Sequence, residues 1–334
     1  MHNTETVLVT GAAGFIGMHV VGELLKQGYK VIGLDNLNDY YDVNLKMDRL
    51  KRLQRNSNFH FFKQDLEQLQ ELDALFAEHR PDSVIHLAAQ AGVRYSLEQP
   101  FSYAGSNLVG FLSVLEACRH YQINHLVFAS SSSVYGSNKK TPFSETDPVD
   151  HPVSLYAATK RAGELMAYSY ARLYGIPSTG LRFFTVYGPW GRPDMAYFSF
   201  SRDILAGRPI KLFNHGEMKR DFTFISDIVD GVLAVRARPP GKDRAGVPFH
   251  LYNIGNDQPV SLGYFVEILE GLLGITAVKE MYPMQPGDVP STHADISEMR
   301  REFGYNPRTS MKDGLAAFVS WYRSYYGCVQ EVVS

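Results

Sequence analysis

Through its first 183 residues the chain keeps one rhythm, in which a short apolar run is followed by a longer stretch of helical periodicity. The runs are TVLVT at 6–10, KVIGL at 30–34, FHFF at 59–62, SVIHLA at 83–88, HLVFA at 125–129 and STGLRF at 178–183. Between them lie helical patterns over 15–27, 43–55, 69–78, 101–121 and 154–174. Apolar runs with little alternation suit strands buried on both faces, and helix-length connections between them pair such strands in parallel. The pattern predicts an α/β fold with a mostly parallel sheet.

After Phe184 the rhythm breaks. TVYGPWGRPDMAYF crowds Gly and Pro into a few positions and reads as an ordered loop, and the later segments alternate turns, short strands and helix starts. The expected organisation is a main domain over 1–184 and a smaller C-terminal substrate-binding lobe over 185–334. Elements from about 223–255 are expected to return to the main sheet. PPGKDRAG at 239–246 is a candidate mobile loop, and 310–325 a helix near the C-terminus.

Composition narrows the partners. With 33 Lys and Arg against 35 Asp and Glu, the net charge of −2 gives no electrostatic reason to expect nucleic acid or an anionic membrane. No apolar stretch approaches the roughly 20 residues that span a bilayer. Cys118 and Cys328 lie far apart and outside any metal or redox spacing. They suit two unpaired thiols in a reducing compartment, and no metal site is expected. The opening MHNTETVLVTG has no secretory pattern, so a cytoplasmic location is expected.

GAAGFIG sets Gly11, Gly14 and Gly17 between the first strand and an amphipathic helix that begins with Phe15 and Ile16. There, glycines permit a tight turn, close approach to a pyrophosphate and close helix–strand packing, with the helix N-terminus presenting N–H groups. This predicts a Rossmann-like dinucleotide site. Asp35 ends the second strand, where a carboxylate accepts two ribose hydroxyls and disfavours a 2′-phosphate, which favours NAD over NADP. A simple turn residue is its other reading. Asp65 and Leu66 follow the third strand, and Leu87, Ala88 and Ala89 supply small residues where a cofactor crosses the fourth. Asn107 either fixes the backbone of its helix or serves only local structure.

Tyr156 and Lys160, in LYAATKRAGE, share a helix face. Alone they suit an ordinary amphipathic helix. The hydroxyl cluster SSSSVYG at 130–136, at a strand end, suggests more. An ammonium near a phenol favours phenolate, and a nearby serine can bind a substrate hydroxyl, a set suited to oxidising an alcohol.

GAAGFIG, SSSVYG and YAATK resemble the extended short-chain dehydrogenases/reductases, and nearly the whole chain resembles their nucleotide-sugar epimerases. AAQAGVRYSLEQP at 88–100, SNLVGF at 106–111, HPVSLYAATK at 151–160, LRFFTVYGPWGRPDMA at 181–196, KRDFTFI at 219–225 and MQPGDVPSTHAD at 284–295 are most similar to the UDP-glucuronate 4-epimerases. The resemblance implies tightly held NAD, with Tyr156 as base, Ser131 as hydroxyl partner and Lys160 on the cofactor ribose. Ser132 and Ser133 would face the sugar, and Ser130 would be structural. It further implies a UDP-sugar substrate, a transient 4-keto sugar, and a homodimer formed through the helices around 101–121 and 154–174.

Arg192 in GPWGRPDM is either a loop-stabilising surface residue or, as the resemblance implies, the partner of the substrate's C6 carboxylate, with Thr185 as a second donor. Arg94 is a candidate for substrate or diphosphate, Asn214 and Arg220 for the diphosphate, and Asp288 for the uridine ribose; tying the two lobes together is their other reading. Gln285 stands where several UDP-galactose 4-epimerases carry an arginine. Ser132 and Ser133 stand where related 4,6-dehydratases carry an Asp–Glu pair, and the family's decarboxylases also tend to place a carboxylate there. The reaction expected is C4 epimerisation of UDP-glucuronate to UDP-galacturonate. A neutral UDP-hexose 4-epimerase, a UDP-glucuronate decarboxylase and a noncatalytic NAD-sensing scaffold are the alternatives.

Overall fold

The computed structural model describes residues 5–285 and 288–327. Cys328 and the Pro286–Gly287 pair of the QPGD motif lie outside the described residues.

The expected βα rhythm appears as β1 (Thr6–Thr10), α1 (Phe15–Lys26), β2 (Lys30–Asp35), α2 (Val43–Leu53), β3 (Phe59–Lys63), α3 (Leu69–His79) and β4 (Ser83–His86). Next come α4 (Tyr95–Glu98), α5 (Pro100–Ala104), a π-helical turn (Gly105–Val109), α6 (Gly110–His120), β5 (His125–Ser131), α7 (Leu155–Tyr174) and β6 (Ser178–Phe183). The helix expected over 101–121 thus forms and runs continuously over 100–120, with a π-turn within it. A π-turn widens the helix by a residue, commonly near a functional site, and this one carries Asn107 inward.

The C-terminal part adds β7 (Thr185–Tyr187), α8 (Ala196–Leu205), β8 (Ile210–Phe213), β9 (Lys219–Phe224), α9 (Ile225–Arg236) and β10 (Phe249–Ile254). It ends with β11 (Pro259–Ser261), α10 (Leu262–Leu273), β12 (Lys279–Tyr282), α11 (Ser297–Phe303) and α12 (Met311–Tyr326). The segment 239–246 forms a turn in which the Asp243 carboxylate accepts the N–H groups of Ala245 and Val247, and Arg172 donates to the Ala245 carbonyl. These bonds tie down the segment expected to be mobile.

The main sheet has seven strands in the order β10-β6-β5-β4-β1-β2-β3, all parallel. Successive residues of a strand face opposite sides, and here both sides are buried. Val7 and Val9 pack on one face with Ile85 and Val127, and Leu8 on the other with Ile32, Val84 and Leu126. This explains why the strands read as unbroken apolar runs. Helices α1, α2 and α9 pack together, as do α3, α6 and α7. The order reverses between β1 and β4, and ligands of open α/β sheets bind beyond the strand ends at such a point. The architecture is the Rossmann type.

A separate C-terminal lobe has its own core, in which Tyr197, Phe198, Phe222, Phe265 and Phe318 are buried together. Its small sheets are β11-β9-β7 and β12-β8, and β7 starts two residues after β6 ends. Among the described residues, no helix is long and apolar enough to cross a membrane.

Candidate active site

Between the sheet and the lobe lies a cleft of about 1110 Å³. Its floor starts at the turn after β1. Gly11 has φ +72°, and a Cβ there would stand 2.8 Å from the Ala88 nitrogen. At Gly17 a Cβ would stand 2.0 Å from the Gly11 carbonyl oxygen, so neither position tolerates a side chain without moving backbone. Gly14 precedes α1 without a side-chain cap. The first-turn N–H groups, left without helical partners, belong to residues of the cleft wall, where Gly11, Gly14, Phe15, Ile16 and Gly17 all lie.

Asp35 ends β2 in the same wall. Its carboxylate accepts from the N–H groups of Ala13 at 3.1 Å and Leu37 at 2.9 Å. Burial raises its pKa, against the pull of Lys46 and these two N–H groups. Asp65 is more fully engaged than the sequence suggested, accepting from the Asn36 amide at 2.9 Å and the Glu67 N–H at 3.0 Å. Leu66, Leu87, Ala88 and Ala89 line the cleft. Asn107 bonds across elements rather than within its own helix, since its amide pairs with both backbone groups of Gln90 and donates to the Thr159 hydroxyl at 3.0 Å. It therefore fixes the β4 end against α7. Gln64 and Gln90 line the cleft, and each has a buried side-chain nitrogen without an acceptor among the described residues. A polar ligand is what such groups await.

The hydroxyl cluster begins inside β5, because the strand runs through Ser131. Ser130 donates to the buried Glu164 at 2.6 Å, and Glu164 holds Arg182 in a two-bond ion pair. That is a structural assignment. The Ser131 hydroxyl accepts the Ser133 N–H and donates to the Ser133 hydroxyl, each at 3.1 Å, bending the chain into a 3₁₀ turn. Ser131, Ser132, Ser133, Tyr156 and Lys160 share the cleft.

Burial raises the Tyr156 pKa, while the Ser131 hydroxyl and the more distant Arg192 charge pull it down. Lys160 is buried beside Tyr156 in the same cleft. Its Nζ stands 6.0 Å from the centre of the Tyr156 ring and donates to the Ala129 carbonyl at 3.0 Å, and burial pushes its pKa down to about 8. The ammonium is thus anchored to the β5 backbone beside the phenol ring.

This buried charge yields a prediction for Lys160→Met in cofactor-free protein. Removing it relieves on the order of 3 kcal/mol, and the unpaired Ala129 carbonyl costs about 1–3 kcal/mol. The melting temperature of the cofactor-free protein should change by only a few degrees at neutral pH, while turnover of the NAD-loaded variant falls at least ~100-fold. The unfolded chain keeps the lysine proton up to about 10.5 and the folded chain releases it from about 8. Folded protein binds fewer protons in that window, so wild-type stability rises with pH relative to the variant. Thermal melts across pH check it.

Arg192 is half-buried and already paired. Its Nε and Nη2 grip the two oxygens of Asp194 at 3.0 and 2.6 Å, and Tyr40 donates to Asp194 at 3.1 Å. Burial opposes the Arg192 charge, but the Asp194 carboxylate outweighs it, and the arginine pKa ends up raised. Thr185, Arg192, Asp194 and Tyr40 all line the cleft. At its far end Arg94 stands 3.6 Å from Asp288 and over the Phe213 ring. Arg220 donates to the carbonyls of Lys219 and Pro290, and burial lowers its pKa against the pull of Asp288. Asn214 falls in a 3₁₀ turn and is absent from the cleft wall, where Phe213 and Lys211 stand instead. Gln285 lines the cleft, and its buried side-chain oxygen has no partner among the described residues.

Sequence reasoning missed Tyr40, Lys46, Gln90 and Asp194. Tyr40 and Lys46 follow β2 in NDYYDVNLK, and the density of polar and aromatic residues just past a strand end was the available signal. Asp194 stood two residues from Arg192, an opposite charge in the same loop.

A model of the NAD dependent epimerase/dehydratase family matches residues 7–255. UDP-glucuronate 4-epimerase 2 of Arabidopsis thaliana is 51% identical over 97% of this chain and 77% of its own. The crystal structure of UDP-glucuronic acid 4-epimerase from Bacillus cereus, in complex with UDP-glucuronic acid and NAD, superposes with TM-score 0.89 at 35% identity, covering 96% of this chain and 100% of that one. A UDP-glucose 4-epimerase from Thermotoga maritima with UDP-glucose gives TM-score 0.85 at 32% identity, covering 96% and 99%.

Proposed function

Because the chain belongs to the NAD dependent epimerase/dehydratase family, we propose that it inverts C4 of UDP-glucuronate reversibly to give UDP-galacturonate. It is an NAD-dependent nucleotide-sugar epimerase. The observation that carries the acidic substrate is the Arg192–Asp194 pair, an arginine already gripping a carboxylate in the same cleft as Ser131 and Tyr156. A planar carboxylate at C6 suits that geometry.

The residues at the glycine turn fit NAD, with Asp35 toward the adenosine ribose and the α1 N-terminus toward the pyrophosphate. The side-chain nitrogens of Gln64 and Gln90 are buried along the same wall without acceptors among the described residues. Asp65, Leu66 and Leu87 to Ala89 complete the contacts, Lys160 holds the nicotinamide ribose, and Asn107 acts through Gln90. When bound, NAD accepts two electrons from C4 and returns them, so no outside redox partner is consumed. Tyr156 takes the O4 proton as the sugar becomes a 4-keto species, and returns it after the ring has turned over. Ser131 holds O4, and Ser132 and Ser133 line the sugar pocket. Arg94 and Arg220 hold the diphosphate, Asp288 serves the uridine ribose, and Thr185 and Arg192 bind the C6 carboxylate. Asn214, outside the cleft wall, has no part in this scheme.

The 4-keto sugar is a β-keto acid, and elimination or loss of CO₂ would divert it. Residues 131–133 supply hydroxyls rather than an acid, and a carboxylate fixed by Arg192 is held from the geometry that bond cleavage needs. Neutral UDP-hexose epimerisation is the second reading, favoured by the likeness to the Thermotoga enzyme. Incubation with UDP-glucuronate and no added NAD should give UDP-galacturonate with the carboxyl carbon retained and no net NADH. A pentose product would overturn the assignment, and binding without turnover would favour the scaffold reading.

A cytoplasmic homodimer is part of the proposal. Phe101 on α5 is 88% exposed and Leu173 on α7 is 70% exposed, with Leu112 and Leu165 also outward on α6 and α7. Exposed apolar residues on adjacent helices suit an interface. Light scattering should give twice the 37.6 kDa chain mass, and Leu112→Asp with Leu165→Asp should give the monomer.

A further inference from the structure

Arg49 is fully buried, yet among the described residues it forms no ion pair. A buried cation without a counter-ion is costly unless hydrogen bonds hold it, so its partners show what it is for. Nη1 donates to the Ala13 carbonyl at 2.9 Å, inside the glycine turn, and to the Tyr41 hydroxyl at 2.7 Å. Nη2 donates to the carbonyls of Trp190 at 2.6 Å and Gly191 at 3.1 Å. One guanidinium thus joins the cofactor turn to the loop that carries Arg192, roughly 140 residues away in sequence.

The loop needs such a brace. Trp190 has φ +63°, a left-handed conformation that bulky residues rarely adopt and that persists only where its surroundings enforce it. The neighbouring Pro189 carbonyl meets the His19 Nε2 at 3.0 Å, and burial pushes the His19 pKa down to about 4, leaving a neutral ring able to donate there. Three successive carbonyls, at 189, 190 and 191, are therefore held by side chains from α1 and α2.

We propose that Arg49 is a positioning residue for substrate selection: it fixes the Arg192 loop against the cofactor turn and so sets the preference for an acidic sugar. This rests on the reading of Arg192 as the carboxylate partner. Lysine keeps the charge at this position, but its single ammonium cannot span carbonyls on two loops.

The test uses the holoenzyme and the ratio of the Kd for UDP-glucose to that for UDP-glucuronate, measured by calorimetry. Arg49→Lys should reduce this ratio at least tenfold, mainly by weakening UDP-glucuronate. His19→Leu, which removes one anchor and leaves Arg49 in place, should reduce it about threefold and serves if Arg49→Lys does not fold. In an Arg192→Met background neither change should alter the ratio further, because both act through Arg192. A purely structural role would lower the melting temperature and weaken both ligands alike, and that result overturns the proposal. A wild-type ratio at or below one overturns the Arg192 reading and this inference together. A wild-type ratio well above one that both variants retain overturns this inference alone.

Discussion

Tyr156→Phe should lower kcat on UDP-glucuronate about 10³-fold, with KM changed less than about threefold. The ring stays packed edge-on against Tyr103, so the substitution removes a hydroxyl and little else. What is lost is the group that carries the O4 proton, a transition-state contribution that appears in kcat rather than in ground-state affinity. Burial already holds the phenol protonated above its usual range in the cofactor-free protein. Substrate should therefore still bind the variant. Steady-state kinetics with product separation measures the effect, and a variant that retains a third or more of wild-type kcat would remove Tyr156 from the role of base.

Arg192→Met should lower kcat/KM for UDP-glucuronate by about 10²- to 10³-fold, because two charge-assisted hydrogen bonds to one carboxylate are lost. Part of that loss would come from Asp194, left in the cleft without its cation and repelling the incoming acid. Arg192→Met with Asp194→Asn separates these effects. Part of the activity toward UDP-glucuronate should return in the double variant, while activity toward UDP-glucose stays within about threefold of wild type in both. If the single variant loses the two substrates equally, Arg192 holds its loop and does not select the carboxylate.

The parts of this site legible in the sequence are those whose signal is local. GAAGFIG sits between a strand and a helix, so the turn chemistry and the strand order around it follow from neighbouring residues. Asp35 could be placed because the end of β2 is fixed by its apolar run. Tyr156 and Lys160 share a helix face, but spacing says nothing of what lies behind the helix, and the Ala129 carbonyl there takes the lysine. Asn107 looked like a helix residue because a π-turn leaves the apolar periodicity around it nearly intact.

Arg192 shows the opposite limit. A Gly- and Pro-rich loop has no period, and the turn that brings Asp194 onto the guanidinium depends on long-range bonds from Arg49 and His19. Arg49 itself reads as one more basic residue on a charged helix. Its burial emerges only when the lobe closes over α2, where Tyr325 bonds Asp48 at 2.6 Å and Arg52 lies over the Trp190 ring.

In the proposed reaction one carbon of an acidic UDP-sugar is oxidised and then reduced in place. UDP-glucuronate carrying deuterium at C4, incubated with the purified protein in ordinary water and no added NAD, tests it most directly. The expected product is UDP-galacturonate with the deuterium still at C4 and the carboxyl carbon retained, because the label leaves and returns without meeting solvent. UDP-galacturonate with hydrogen at C4, or a UDP-pentose, would contradict it.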